Sequence, residues 1–142
     1  MADSVQERET VAHQFIEALP HCVALSMRVE AIGAGEATLS MPWDEAIVGD
    51  PVTGVVHGGA VSALMDTTGG AAVLCHPEGG YATATMDLRI DYMRPAAPRQ
   101  RITARARCFH MTRSVAFVRA EASDEDGVVA VANGAFTVER AR

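Results

Sequence analysis

Val55-Val56-His57-Gly58-Gly59-Ala60-Val61-Ser62-Ala63-Leu64-Met65-Asp66 decides how this chain folds. A valine pair leads through a histidine and two glycines into an apolar run that holds one carboxylate. Two glycines where a helix should begin leave its first amide N–H groups open to a ligand. Burying an unpaired charge is expensive, so an aspartate inside an apolar helix needs a reason. Backbone donors beside a half-buried carboxylate are the raw material for attack on a carbonyl.

The helix is expected to run from Gly58 to Leu74. Val61, Leu64, Met65, Thr68, Ala71, Ala72 and Val73 form its apolar stripe, while Gly59, Ser62, Ala63 and Asp66 share a second one. Gly69-Gly70 costs about 1 kcal/mol of helix propensity per glycine, tolerable where close sheet packing leaves no room for side chains. His76-Pro77-Glu78-Gly79-Gly80 ends the element.

Working outward, Gln6 to Leu19 spaces Val11, Phe15, Ile16 and Leu19 at helical intervals up to Pro20. Leu25–Ile32 and Glu36–Met41 read as strands about Gly33-Ala34-Gly35, a hairpin signature. Pro42 to Pro51 is a loop anchored by Ile47-Val48. Beyond the helix, Ala84, Met86, Leu88, Ile90 and Tyr92 alternate with Thr85, Asp87, Arg89 and Asp91. On that alternation Thr83, Thr85, Asp87, Arg89 and Asp91 point one way. Ile102–Phe109 is another long strand, and Ser114–Ala122 with Val128–Val138 form a hairpin about Asp124-Glu125-Asp126-Gly127. The sum is an α+β domain, an antiparallel sheet with its helices on one side. Its second face is small and polar, which favours dimerisation.

A chain of 142 residues that is 49 % hydrophobic supports one domain, taken as 1–142, around one core. Asp3, Glu7, Arg8 and Glu9 interrupt the N-terminal stretch, so no signal peptide is expected, and no apolar run is long enough for a membrane span. Cys22, Cys75 and Cys108 show no CxxC spacing or disulfide framework and are expected as small buried hydrophobes. A net charge of −6 argues against a nucleic-acid partner. All twelve basic residues are arginine, and eight lie between Asp87 and Arg119 with only Asp87 and Asp91 to balance them. Either a phosphate-bearing ligand docks beside that segment, or these are solvated strand faces forming ion pairs.

Asp66 is the leading candidate for chemistry. An N–H of Gly58 or Gly59 would polarise a carbonyl, helped by the positive end of the helix. His57 would orient the loop or contact the ligand, and a Thr85 hydroxyl could position a water or a carboxylate. His13, His21, His76 and His110 are dispersed, without a metal-binding spacing, and no GxSxG elbow is present. Trp43, Phe109 and Met111 would line a ligand tunnel or fill the core.

The combination resembles the hotdog-fold acyl-CoA thioesterases, in particular the phenylacetate-pathway (PaaI-like) branch. The resemblance rests on Gly54-Val55-Val56-His57-Gly58-Gly59-Ala60 and Leu64-Met65-Asp66-Thr67, with the aspartate nine residues after the histidine. Met86 to Ala96, containing Tyr92-Met93-Arg94-Pro95-Ala96, and Gly127-Val128-Val129-Ala130 extend it over roughly Ala12 to Val138.

It implies a curved sheet wrapped around one long helix, in homodimers often paired into tetramers, with active sites between subunits. Asp66 would be general base or nucleophile on the thioester, Gly58 the polarising amide, His57 a positioning group and Thr85 the strand hydroxyl. No cofactor is implied, since CoA is part of the substrate. Arg89, Arg94 and Arg113 are the candidates for its phosphates, and a cytoplasmic location is expected. Many members carry asparagine six residues before the histidine, where this chain has Pro51. Asp50 would take its place, as an acceptor only when ionised. Rival activities are hydration or dehydration of an acyl thioester, or non-catalytic acyl-CoA binding.

Overall fold

The computed structural model describes residues 5–141. Helix α1 (Val5–Ala18) ends one residue before Leu19, and Pro20 opens a second short helix, α2 (Pro20–Ala24). Proline is at home in that first helical position because its missing N–H would have no partner there. Strands β1 (Arg28–Gly33) and β2 (Glu36–Met41) follow as a hairpin. Its turn residues Ala34 and Gly35 sit at φ 52° and 80°, the tight-turn geometry that suits twisted strands. After a 3-10 turn at Glu45–Ile47 comes α3 (Gly58–Leu74), with the bounds its glycines and Leu74 suggest. Then come β3 (Thr85–Tyr92), β4 (Ile102–Met111), β5 (Val115–Asp124) and β6 (Gly127–Thr137).

The six strands make one antiparallel sheet in the order β1-β2-β4-β5-β6-β3. This corrects the expectation of a curved sheet wrapped around the helix. The sheet is open, β1 and β3 are its edges, and α3 lies chiefly over β2, β4 and β5 on one face. The physical reason is visible in the rows beneath the helix. Cross-strand neighbours Ala37, Ala106, Ala120 and Ala132 form one row, and Leu39, Ala104, Ala122 and Ala130 the next, all buried. These mostly methyl side chains let α3 settle close on the middle of the sheet. Leu64 and Met65 of α3 complete the core with Met41, Ile102, Val118 and Phe136.

The opposite face carries Glu36, Arg105, Arg107, Arg119, Glu121 and Asn133, all exposed. Arg107 pairs with Glu36 at 3.9 Å, and the Arg119 guanidinium lies 4.2 Å from the Phe109 ring. Most of that face is therefore a solvated strand surface. The three cysteines are buried and free. In α1, Ala12 and Ile16 face the core, whereas Val11 and Phe15 of the expected stripe are exposed.

Candidate active site

His57 is the N-cap of α3, and its Nδ1 accepts the Gly59 N–H at 2.8 Å. Neutral His57 therefore carries its proton on Nε2. A Cβ on Gly59 would stand 2.8 Å from that Nδ1, so the cap requires glycine there. The amides of Ala60 and Val61 both donate to the His57 carbonyl. Gly58 N–H is thus the open donor of the first turn, with no acceptor among the described residues. It is exposed and sits at the positive end of the helix. The loop before it is clasped, His57 N–H donating to Ile47 O at 2.7 Å and Gly49 N–H to Val55 O at 2.8 Å. Ile47 is buried as an anchor.

Asp66 lies two turns further along, on the half-exposed stripe of α3 with Ser62, Ala63, Thr67, Gly70 and Leu74. The Thr85 hydroxyl donates to its Oδ1 at 2.6 Å, and its Oδ2 has no partner among the described residues. This contact exists because of a β-bulge. Register shifts between Thr85 and Asp87, so Thr85 pairs with inward-facing Phe136 while Asp87, Arg89 and Asp91 face out. The expectation that Thr85 points with those charged residues is corrected by the extra residue, Met86.

Tyr92, at the other end of β3, was not among the expected site residues. Its hydroxyl donates to Gly58 O at 2.8 Å and lies 3.2 Å from Ser62 Oγ. Its place on the inward, apolar side of the strand alternation was the available signal. β3 therefore contacts the site side of α3 twice, through Tyr92 at the helix start and Thr85 at the carboxylate.

Asp50 is occupied locally. Its Oδ1 accepts the Val52 amide at 2.9 Å and its Oδ2 the Thr53 hydroxyl at 2.8 Å. Those bonds, the hydroxyl's first, hold its carboxyl below the usual value. Arg94 is committed too. Its guanidinium forms a two-pronged pair with the fully buried Asp124 carboxylate, one prong at 2.8 Å, and also donates to Gly127 O. Arg94 beside it holds the Asp124 carboxyl well below the carboxylate range. Arg89 is exposed and touches Asp91 only at 3.4 Å. Arg113 sits exposed on the turn before β5, and its guanidinium makes no ion pair among the described residues. Trp43 donates to Gly54 O at 2.8 Å and packs on the core with Met111, while Phe109 lies on the outer sheet face. No group of three or more His, Cys, Asp or Glu that could hold a metal occurs among the described residues, and none of their helices is long and apolar enough to cross a membrane.

The family model of the thioesterase superfamily matches residues 53–131, which contain the helix start, Asp66, Thr85 and Tyr92. The chain belongs to the thioesterase superfamily. A solved Pseudomonas aeruginosa protein is 41 % identical, covering 95 % of this chain and 99 % of that one with a TM-score of 0.80. A point mutant of the phenylacetic acid degradation protein PaaI from Thermus thermophilus is 28 % identical, covering 84 % and 99 % with a TM-score of 0.76. Among curated relatives, the medium/long-chain acyl-CoA thioesterase YigI of Escherichia coli is 25 % identical over 85 % of this chain and 86 % of its own length. A Halobacterium salinarum relative is 41 % identical over 76 residues, and the match spans half of that protein's length.

Proposed function

We propose that this thioesterase-superfamily domain hydrolyses an acyl-CoA thioester to the free acid and CoA, within the PaaI-like branch. The observation that carries this reading is the pair formed by the open Gly58 N–H and the Thr85-held Asp66 carboxylate. Eight residues at ~1.5 Å of rise each set them ~12 Å apart along one helix, too far to act on one carbonyl. Two copies solve this. β3 is an exposed sheet edge bearing Tyr92 beside Gly58 at one end and Thr85 beside Asp66 at the other. Antiparallel pairing of β3 with its two-fold copy would bring each Asp66 end against the other subunit's Gly58 end. A homodimer is thus the working unit, and pairing of dimers through the charged outer face would give a tetramer.

In the proposed reaction Asp66 takes a proton from water as the water oxygen bonds to the thioester carbon. The charge that develops on the carbonyl oxygen is met by Gly58 N–H at the positive helix end. Collapse of the tetrahedral intermediate breaks the C–S bond, and the CoA thiolate leaves and is reprotonated with the proton Asp66 received. Direct attack by Asp66 through an anhydride is the variant of the same scheme. Thr85 fixes the carboxylate rotamer, His57 keeps the helix entry capped and faces the thioester with Nε2–H, and Tyr92 pins the same turn. Arg89, held only by Asp91, and Arg113 are the candidates for the CoA phosphates, and Arg94 holds the turn that follows β3. Asp50 shapes the loop that supports His57.

The test is acyl-CoA hydrolysis followed by free-thiol release. Asp66→Asn is expected to lose about 10²-fold or more in kcat. Equal turnover by Asp66→Asn and wild type would end the proposal. Binding of acyl-CoA without turnover by the wild type would favour the non-catalytic role instead.

A further inference from the structure

The two adjacent glycines of α3 have opposite surroundings. A Cβ on Gly69 would stand 2.8 Å from Phe136 Cζ, so the sheet requires that residue to be glycine. A Cβ on Gly70 would find only Thr83 Cγ2, at 3.9 Å, within reach. Nothing among the described residues needs Gly70 to lack a side chain, yet glycine weakens the helix there. The space beside it is free for a group from outside the chain.

Its position says what. Asp66, Gly70 and Leu74 lie four residues apart on one stripe of α3, steps of ~6 Å. Thr85, Thr83 and Tyr81 lie two apart on the extended segment leading into β3, steps of ~6.6 Å. The two series match rung for rung. Asp66 meets Thr85 in the first rung, the Gly70 gap faces Thr83 in the second, and Leu74 and Tyr81 both line one groove at the third. That groove, about 920 Å³, lies between α1 and the 79–83 segment, with Val11 and Phe15 of α1 as its other wall. Val11 and Phe15 are 64 % and 56 % exposed and Tyr81 69 %, its ring in the groove and its hydroxyl donating to Glu139 Oε2 at 3.4 Å, with Glu7 and Arg140 also in the lining.

We infer that the gap at Gly70 is the passage by which the apolar tail of the acyl group runs from Asp66 into the groove between α1 and the 79–83 segment, making this chain selective for medium or long acyl chains. The inference rests on the thioester-hydrolase reading for the position of the carbonyl. Its occupant is set by continuity. A tail beginning at the carboxylate has the unfilled side of α3 beside it and exposed apolar side chains at the end of that path.

The experiment compares Gly70→Leu and Phe15→Asp with wild type on dodecanoyl-CoA and butanoyl-CoA, alongside calorimetric binding of dodecanoate. Each methylene kept out of the groove should lose a factor of about four. The ratio of kcat/KM for the long over the short substrate should therefore fall at least about tenfold in both variants, and dodecanoate binding should weaken in parallel. An unchanged ratio with unchanged dodecanoate binding overturns the inference. So does a Gly70→Leu variant that dissociates into monomers and loses both substrates equally, which would make Gly70 a subunit-packing position. Should the wild type hydrolyse neither thioester, the hydrolase reading fails. Dodecanoate binding that both substitutions weaken would still support the groove, and binding that neither changes would still overturn it.

Discussion

The two sides of α3 obey different rules. On the sheet side, Val61, Leu64, Met65, Thr68, Gly69, Ala71, Ala72 and Val73 are buried. Thr68 returns its hydroxyl to Leu64 O, and Gly69 yields to Phe136. On the other side, Gly58 keeps an unused N–H, Asp66 a carboxylate oxygen without a partner among the described residues, and Gly70 a space. Packing within the chain accounts for the first side, whereas the second meets β3 through Tyr92 and Thr85 and still keeps these groups open. The proposed ligand and second subunit would meet the helix on this outward side.

That contrast can be broken residue by residue. The largest effect belongs to Asp66→Asn, whose loss of turnover should come with a melting temperature within a few degrees of wild type. A large fall in Tm would make Asp66 a structural residue. Next, Gly69→Ala should destabilise by about 1–3 kcal/mol, because its methyl meets Phe136 in a packed core. Urea unfolding would show it as a lower midpoint, and an unchanged midpoint would mean the sheet side is looser than its distances say. Thr85→Val should lower kcat about tenfold by releasing the Asp66 carboxylate from a hydrogen bond to a charged group. Rescue by Thr85→Ser would separate that role from simple packing. The smallest effect has the opposite sign. Gly70→Ala should stabilise the fold by up to about 1 kcal/mol, since a methyl there meets only Thr83 Cγ2, at an ordinary contact distance of 3.9 Å. A destabilised Gly70→Ala would contradict the contrast.

The same contrast explains what the sequence discloses. The bounds of α3, its buried stripe, β2 and the β5–β6 hairpin are legible because hydrophobic period and glycine placement are local signals. The Gly58 and Asp66 candidates are legible for the same reason, each being odd in its local setting. Thr85 is legible as a residue but not as a direction. One extra residue at Met86 reverses its face, and a bulge looks like ordinary alternation in a single strand. Arg94 reads as a free cation because its partner, Asp124, is thirty residues away at the end of β5. Asp50 reads as a substitute for an amide, yet its oxygens close the 50–54 turn. The open sheet is hidden for another reason. Whether strands wrap a helix depends on side-chain sizes across all six, here the alanine rows under α3, and no one segment reports that.

If Gly58 and Asp66 of different subunits form one site, mixing two inactive subunits restores it. Gly58→Pro removes the N–H with little disturbance, since proline suits the first helical position, His57, at φ −59° and ψ 132°, already has the backbone that proline demands before it, and a Cβ there meets Tyr92 at an ordinary contact distance of 3.5 Å. Gly58→Pro and Asp66→Ala should each be nearly inactive alone. Unfolded and refolded together, they should recover about a quarter of wild-type acyl-CoA turnover if random two-fold dimers form with one intact site in each mixed pair. Mixed dimers that form and show no recovery would contradict the account, because the two groups would then have to act within one chain.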